Sequence, residues 1–116
     1  MRTLIEIPAE PIRSALQESG WQIAAVEEPS VWWCRERWHL RSAWSPQNRE
    51  AYLTFLVDPQ DDSNKPKVMG VKASASPPIQ WQSSEQEHML YFGRGWREQL
   101  GRLVEYLDGV RNRGPV

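Results

Sequence analysis

The sequence predicts an α+β fold: a four- to five-stranded antiparallel sheet with an N-terminal and a C-terminal helix packed on one face. Three observations carry that reading. Residues 31 to 44 and 51 to 57 are two arms rich in aromatic and β-branched residues, joined through the turn formers Ser45-Pro46-Gln47-Asn48, which is the pattern of a β-hairpin. Trp96, Leu100, Leu103, Leu107 and Val110, with Val104 beside them, form one apolar stripe at helical spacing. A chain of 116 residues with 40% apolar and 25% charged residues suits one domain, residues 1–116, able to bury a core without disulfides or metal.

Taken in order, residues 1 to 7 suit a short strand that Pro8 and Pro11 prevent from running on. Pro11 suits the first residue of a helix, Ile12, Ala15 and Leu16 give it an apolar side, and Gly20 supplies a stop, so a helix is expected over 10–19. Residues 21 to 27 then alternate as a strand closed by Glu28-Pro29-Ser30. After the hairpin, 58–66 is a polar, proline-bounded surface loop, and 67–75 is a further strand with Met69, Val71 and Ala73 on one side. Pro77-Pro78 ends it. Ile79 to Gln82 is expected to pair with Glu87 to Phe92, although Ser84 with Glu87 also fits a capping box. The last helix is expected over 95–109, ended by Gly109.

Composition narrows the function classes. The net charge of −1 provides no overall field toward nucleic acid or an anionic membrane. Counted as Arg and Lys against Asp and Glu, however, residues 31–57 and 94–116 each carry +2. A single Cys34 excludes an internal disulfide, and without a signal peptide or long apolar run the expected setting is the cytoplasm. Three Cys and His residues fall short of the four ligands of structural zinc. Asp58, Asp61 and Asp62 lack the alternation and glycine of a calcium loop. Gly93-Arg94-Gly95 before the last helix has the look of an anion cradle but is too short for a nucleotide fingerprint. No cofactor and no metal is expected.

The hairpin's first arm separates the remaining chemistries, because neighbouring strand residues point to opposite faces. Trp32, Cys34, Glu36, Trp38, Leu40, Ser42 and Trp44 are expected to face the helices, leaving Trp33, Arg35, Arg37, His39 and Arg41 on the other face. Cys34 and His39, a conceivable nucleophile and base, then lie on opposite faces roughly 16 Å apart, unless a bulge restores their parity. Glu36 on the apolar side is an oddity, conceivable as a general acid but more simply a residue near an edge or paired with an arginine. No catalytic constellation emerges. The candidate surface is therefore Trp33, Arg35, Arg37, His39 and Arg41, with Tyr52 on the paired strand, and Arg94 before the last helix is a further candidate. Its residue types suit a protein partner or homodimer, with nucleic acid or another anionic ligand, gripped by the same face plus Arg94 and Arg97, as the alternative.

Overall fold

The computed structural model describes residues 8–43, 50–61, 67–78 and 87–113, apart from the side chains of 112 and 113. The expected strand at 1–7, the turn at 45–48, Trp44 and residues 79–86 lie outside this description. The order is α1 (Ala9–Glu18), β1 (Trp21–Glu27), β2 (Cys34–Ser42), β3 (Glu50–Val57), β4 (Val68–Ser74), β5 (His88–Tyr91), a 3₁₀ turn (Trp96–Gln99) and α2 (Leu100–Arg113). The five strands form an antiparallel meander in the order β1-β2-β3-β4-β5, so every strand pairs with its sequence neighbour.

Both helices cover one face. Ile12 and Leu16 of α1 and Leu103, Leu107 and Val110 of α2 pack into a single cluster with Trp21, Trp38, Leu40, Ala51, Leu53, Phe55, Val71, Ala73 and Leu90. Each of those strand residues sits at a position whose cross-strand partners also point inward, as the pairs Trp38 with Leu53 and Phe55 with Val71 illustrate. Burial of such side chains at roughly 25 cal/mol per Å² is what holds the helices down. The α+β class and its two-helix, five-strand content follow the sequence expectation closely.

Local chemistry explains the element ends. Gly20 adopts φ 79°, the left-handed conformation that turns α1 directly into β1, and Ser19 and Gly20 donate backbone hydrogen bonds to Leu16 and Gln17. The helix itself starts two residues before Pro11, which therefore lies in the first turn, where its missing N–H is no loss. At Gly70 a side chain would meet the Leu90 carbonyl oxygen at 2.5 Å, so glycine is what lets β5 close onto β4. Among the described residues no helix is long and apolar enough to cross a membrane.

Three expectations are corrected. α2 passes through Gly109 and continues to Arg113, because Val110 is buried and Arg111 is anchored. Arg111 Nη1 donates to the Ser19 carbonyl at 2.7 Å, Nη2 reaches Asp108 Oδ1 at 2.6 Å, and the guanidinium lies over the Trp21 ring at 5.2 Å. These contacts, of which the bond to Ser19 spans 92 residues of sequence, outweigh the roughly 1 kcal/mol cost of a glycine inside a helix. The alternation expected over 21–27 is interrupted by a bulge at Ala24, so Ala25 pairs with His39 and leaves the side of Ile23. Trp32, expected in the core, lies ahead of β2 and is 66% exposed.

Candidate surface on the outer face of the sheet

The face away from the helices holds four of the candidate residues, Arg37, His39, Arg41 and Tyr52, and its register is explicit. Across β1, β2, β3 and β4 run two rows: Glu27, Arg37, Thr54, Lys72 and Ala25, His39, Tyr52, Ser74. Arg41 sits beside Gln22 on one side and Glu50 on the other. The strands thus bring Arg37, His39, Arg41 and Tyr52 together on one face.

A bulge changes the start of β2. Cys34 pairs with Leu56 and Glu36 pairs with Phe55, so Arg35 is the extra residue and the alternation resets there. Glu36 then shares the inner side with Phe55, where its Oε1 accepts a 2.8 Å hydrogen bond from the indole N–H of buried Trp38. That bond resolves the oddity of a carboxylate on the apolar side: it serves a donor that would otherwise be buried without an acceptor. Cys34 moves to the outer face with His39, so the parity that separated them is restored. The thiol is nevertheless ill suited to attack: burial, opposed by Arg37, pushes it up to about 11, and its Sγ donates to the Glu36 carbonyl at 3.3 Å.

The cations of the face are met by carboxylates from the flanking strands. Arg37 Nε and Nη2 each lie 3.0 Å from Glu27 Oε1 on β1. On β3, Glu50 lies 3.0 Å from His39 Nε2, off the line that a hydrogen bond needs, and 3.9 Å from Arg41 Nη2. The His39 ring stacks flat on Tyr52, with centroids 4.8 Å apart and planes 5° from parallel. Burial and the neighbouring Glu50 raise the Tyr52 phenol above its ordinary value. The result is an aromatic, charge-compensated surface rather than a cationic strip.

Two candidates sit elsewhere. Trp33 precedes β2, half-buried, with its carbonyl accepting from the Val57 amide at 3.1 Å. Arg94 is exposed in the turn after β5, three strands away from β2, or about 14 Å at ordinary strand spacing. The structure does not join it to the arginine row. Gly95 beside it adopts φ 74° and leads only into the short 3₁₀ turn, so its glycine is accounted for by the tight entry. Asp58 and Asp61 accept backbone hydrogen bonds from Gln60 and Lys67, which occupies them in shaping their loop. Among the described residues no three His, Cys, Asp or Glu side chains gather as metal ligands.

Sequence reasoning missed Trp32, Val31 and Val26. All three are large, exposed apolar residues around the β1–β2 connection, at 66%, 40% and 52% exposure. The signal that would have found Trp32 is Pro29-Ser30 immediately upstream: a turn there delays the strand until Cys34. It also missed an open groove of about 700 Å³ between α1 and β1, lined by Arg13, Leu16, Trp21, Ile23 and Arg41 among others.

Comparison with known proteins adds no relative. No family model, curated protein or solved structure matches the chain.

Proposed function

We propose that the protein is a non-enzymatic binding module that meets a protein partner with the outer face of β1 to β3 and the apolar rim beside it. One observation supports this reading above the rest: the cations of the face are already answered by Glu27 and Glu50, while Trp32 keeps two thirds of its surface in water. An exposed Trp beside paired Arg, His and Tyr side chains is the composition found at the centres of protein interfaces. A polyanion, by contrast, would have to displace carboxylates from the guanidinium groups it seeks. The cytoplasm is the proposed setting, on the strength of a lone cysteine that cannot form an internal disulfide.

Tryptophan fluorescence against single-stranded oligonucleotides and heparin tests the choice of partner class. A flat titration at low salt is the expected result; binding that weakens steeply with salt overturns it in favour of the anionic-ligand alternative. The matching positive test is affinity capture with the wild type and with the Trp32→Ala, Arg37→Glu double variant. A partner retained by the first and lost by the second is expected, and equal retention by both removes this face from the interaction.

A further inference from the structure

The outer edge of β1 is built differently from the other end of the sheet. Among the described residues β1 pairs with β2 alone, and apart from a single bulge at Ala24 its sequence Trp-Gln-Ile-Ala-Ala-Val-Glu lacks the proline and lysine that commonly blunt an exposed edge. β5, the opposite edge, is only four residues long, against seven for β1. Ala24, Ala25 and Val26 are all exposed, and the α1–β1 groove opens along the same edge.

We infer that β1 pairs with β1 of a second copy, antiparallel across a two-fold axis between Ala24 and Ala25, joining two five-stranded sheets into one. The register follows from the bulge within β1. Ile23 pairs with Leu40 and Ala25 pairs with His39, so Ala24 is the extra residue. Beyond it the alternation resets, placing Gln22 and Glu27 on the outer face and Ile23 and Val26 on the inner one. A two-fold centred there sets Ile23 opposite Val26 and Gln22 opposite Glu27, each pair on a common face, as an antiparallel ladder requires. The bulge thus interrupts the new ladder once at its centre and keeps the two flanking halves in phase.

Charge selects this occupant. The groove end of the edge carries Arg41 beside Gln22 on the outer face, and Arg13 lines the groove on the helix side. The far end carries Glu28 and Glu27, the latter held 3.0 Å from Arg37 of its own chain but with 49% of its side-chain surface still open to a second cation. Antiparallel pairing brings each protomer's glutamates to the other's arginines, twice by symmetry, whereas parallel pairing would set like against like. The segment that fits the edge, apolar and extended with two carboxylates at its end, is the chain's own Ile23-Ala24-Ala25-Val26-Glu27-Glu28.

The inference stands on the strand edge and is independent of the outer-face reading, so the two fail separately. Sedimentation velocity of the full chain over a range of concentrations is expected to show a monomer–dimer equilibrium with no larger species. Val26→Lys, at a half-exposed position, is expected to give a folded monomer, and Trp32→Ala to leave the dimer intact. The charge-swap experiment is the sharper test. Arg13→Glu with Arg41→Glu, and separately Glu27→Arg with Glu28→Arg, each weaken self-association at least about tenfold, and mixing the two variants restores a dimer in which all four contacts are again attractive. A wild-type monomer throughout, open-ended oligomers, a dimer untouched by Val26→Lys, or variants that stay apart when mixed would each overturn the inference. Circular dichroism of every variant establishes that the fold is retained.

Discussion

Two cations flank Thr54 in one row of the outer face, and their fates differ. Toward β1, Arg37 meets Glu27, and the two side chains keep 22% and 49% of their surface in solvent. Toward β5, Lys72 has no exposed surface at all, and its Nζ lies 3.3 Å from Glu87 Oε1, itself 15% exposed. The chemistry is the same on both sides, a cation answered by a carboxylate from the neighbouring segment of the same chain. Burial makes the two pairs different objects. Water screens the first, so it shapes the surface more than it stabilises the fold; the second is desolvated, and neither partner can be removed cheaply.

Removing one partner of the buried pair breaks the comparison most severely. Lys72→Ala is expected to cost about 3–5 kcal/mol in denaturant unfolding, because Glu87 is left facing a largely dry environment. Lys72→Met combined with Glu87→Leu is expected to recover most of that loss, since replacing both charges by apolar groups of similar size is often neutral. If the single variant unfolds at the wild-type midpoint, the covered pair plays no structural part. If the double variant is as unstable as the single one, other groups that Lys72 contacts carry its role.

The same contrast marks what could be read from residues alone. The start of β1 and the regular part of β2 were legible because apolar alternation and cross-strand partners agree there, as at Trp38 and Leu40, whereas the bulge at Ala24 breaks the alternation within β1. The first residues of the hairpin were not: a bulge at Arg35 and a turn at residues 29–33 shift the phase by steps that periodicity cannot register. Alternation sets Lys72 on the side opposite Val71 and Ala73, yet its burial depends on what lies over that side, which alternation does not encode. The arginine row was visible as a motif. Its neutralisation was hidden, because Glu27 and Glu50 belong to the flanking strands and only the register brings them alongside.

An intermediate effect belongs to the helix-facing side. His88 on β5 stacks on Tyr106 of α2 at 5.7 Å, and burial, reinforced by the nearby Arg102, lowers its native value below the ordinary 6.5. The unfolded chain then takes up the proton more readily than the native one. Stability is unaffected well above pH 6.5, declines as the pH falls through about 6.5 toward the lowered native value, and levels off below it. Unfolding midpoints followed from neutral to mildly acidic pH are expected to fall less steeply in His88→Asn than in the wild type. Parallel profiles would mean that His88 titrates alike in both states.

The smallest expected effect sharpens the comparison most. A double-mutant cycle on Arg37→Ala and Glu27→Ala should give a coupling of about 0.2–1 kcal/mol, the range for pairs with solvent access, and added salt should shrink it. The corresponding coupling for Lys72 and Glu87 should hardly respond to salt, since screening ions cannot enter a covered site. A salt-insensitive Arg37–Glu27 coupling would show that the outer face near β1 is itself covered in solution. Its natural cover would then be a second molecule lying across the sheet, and the cycle repeated at low protein concentration would restore the salt dependence as that cover dissociates.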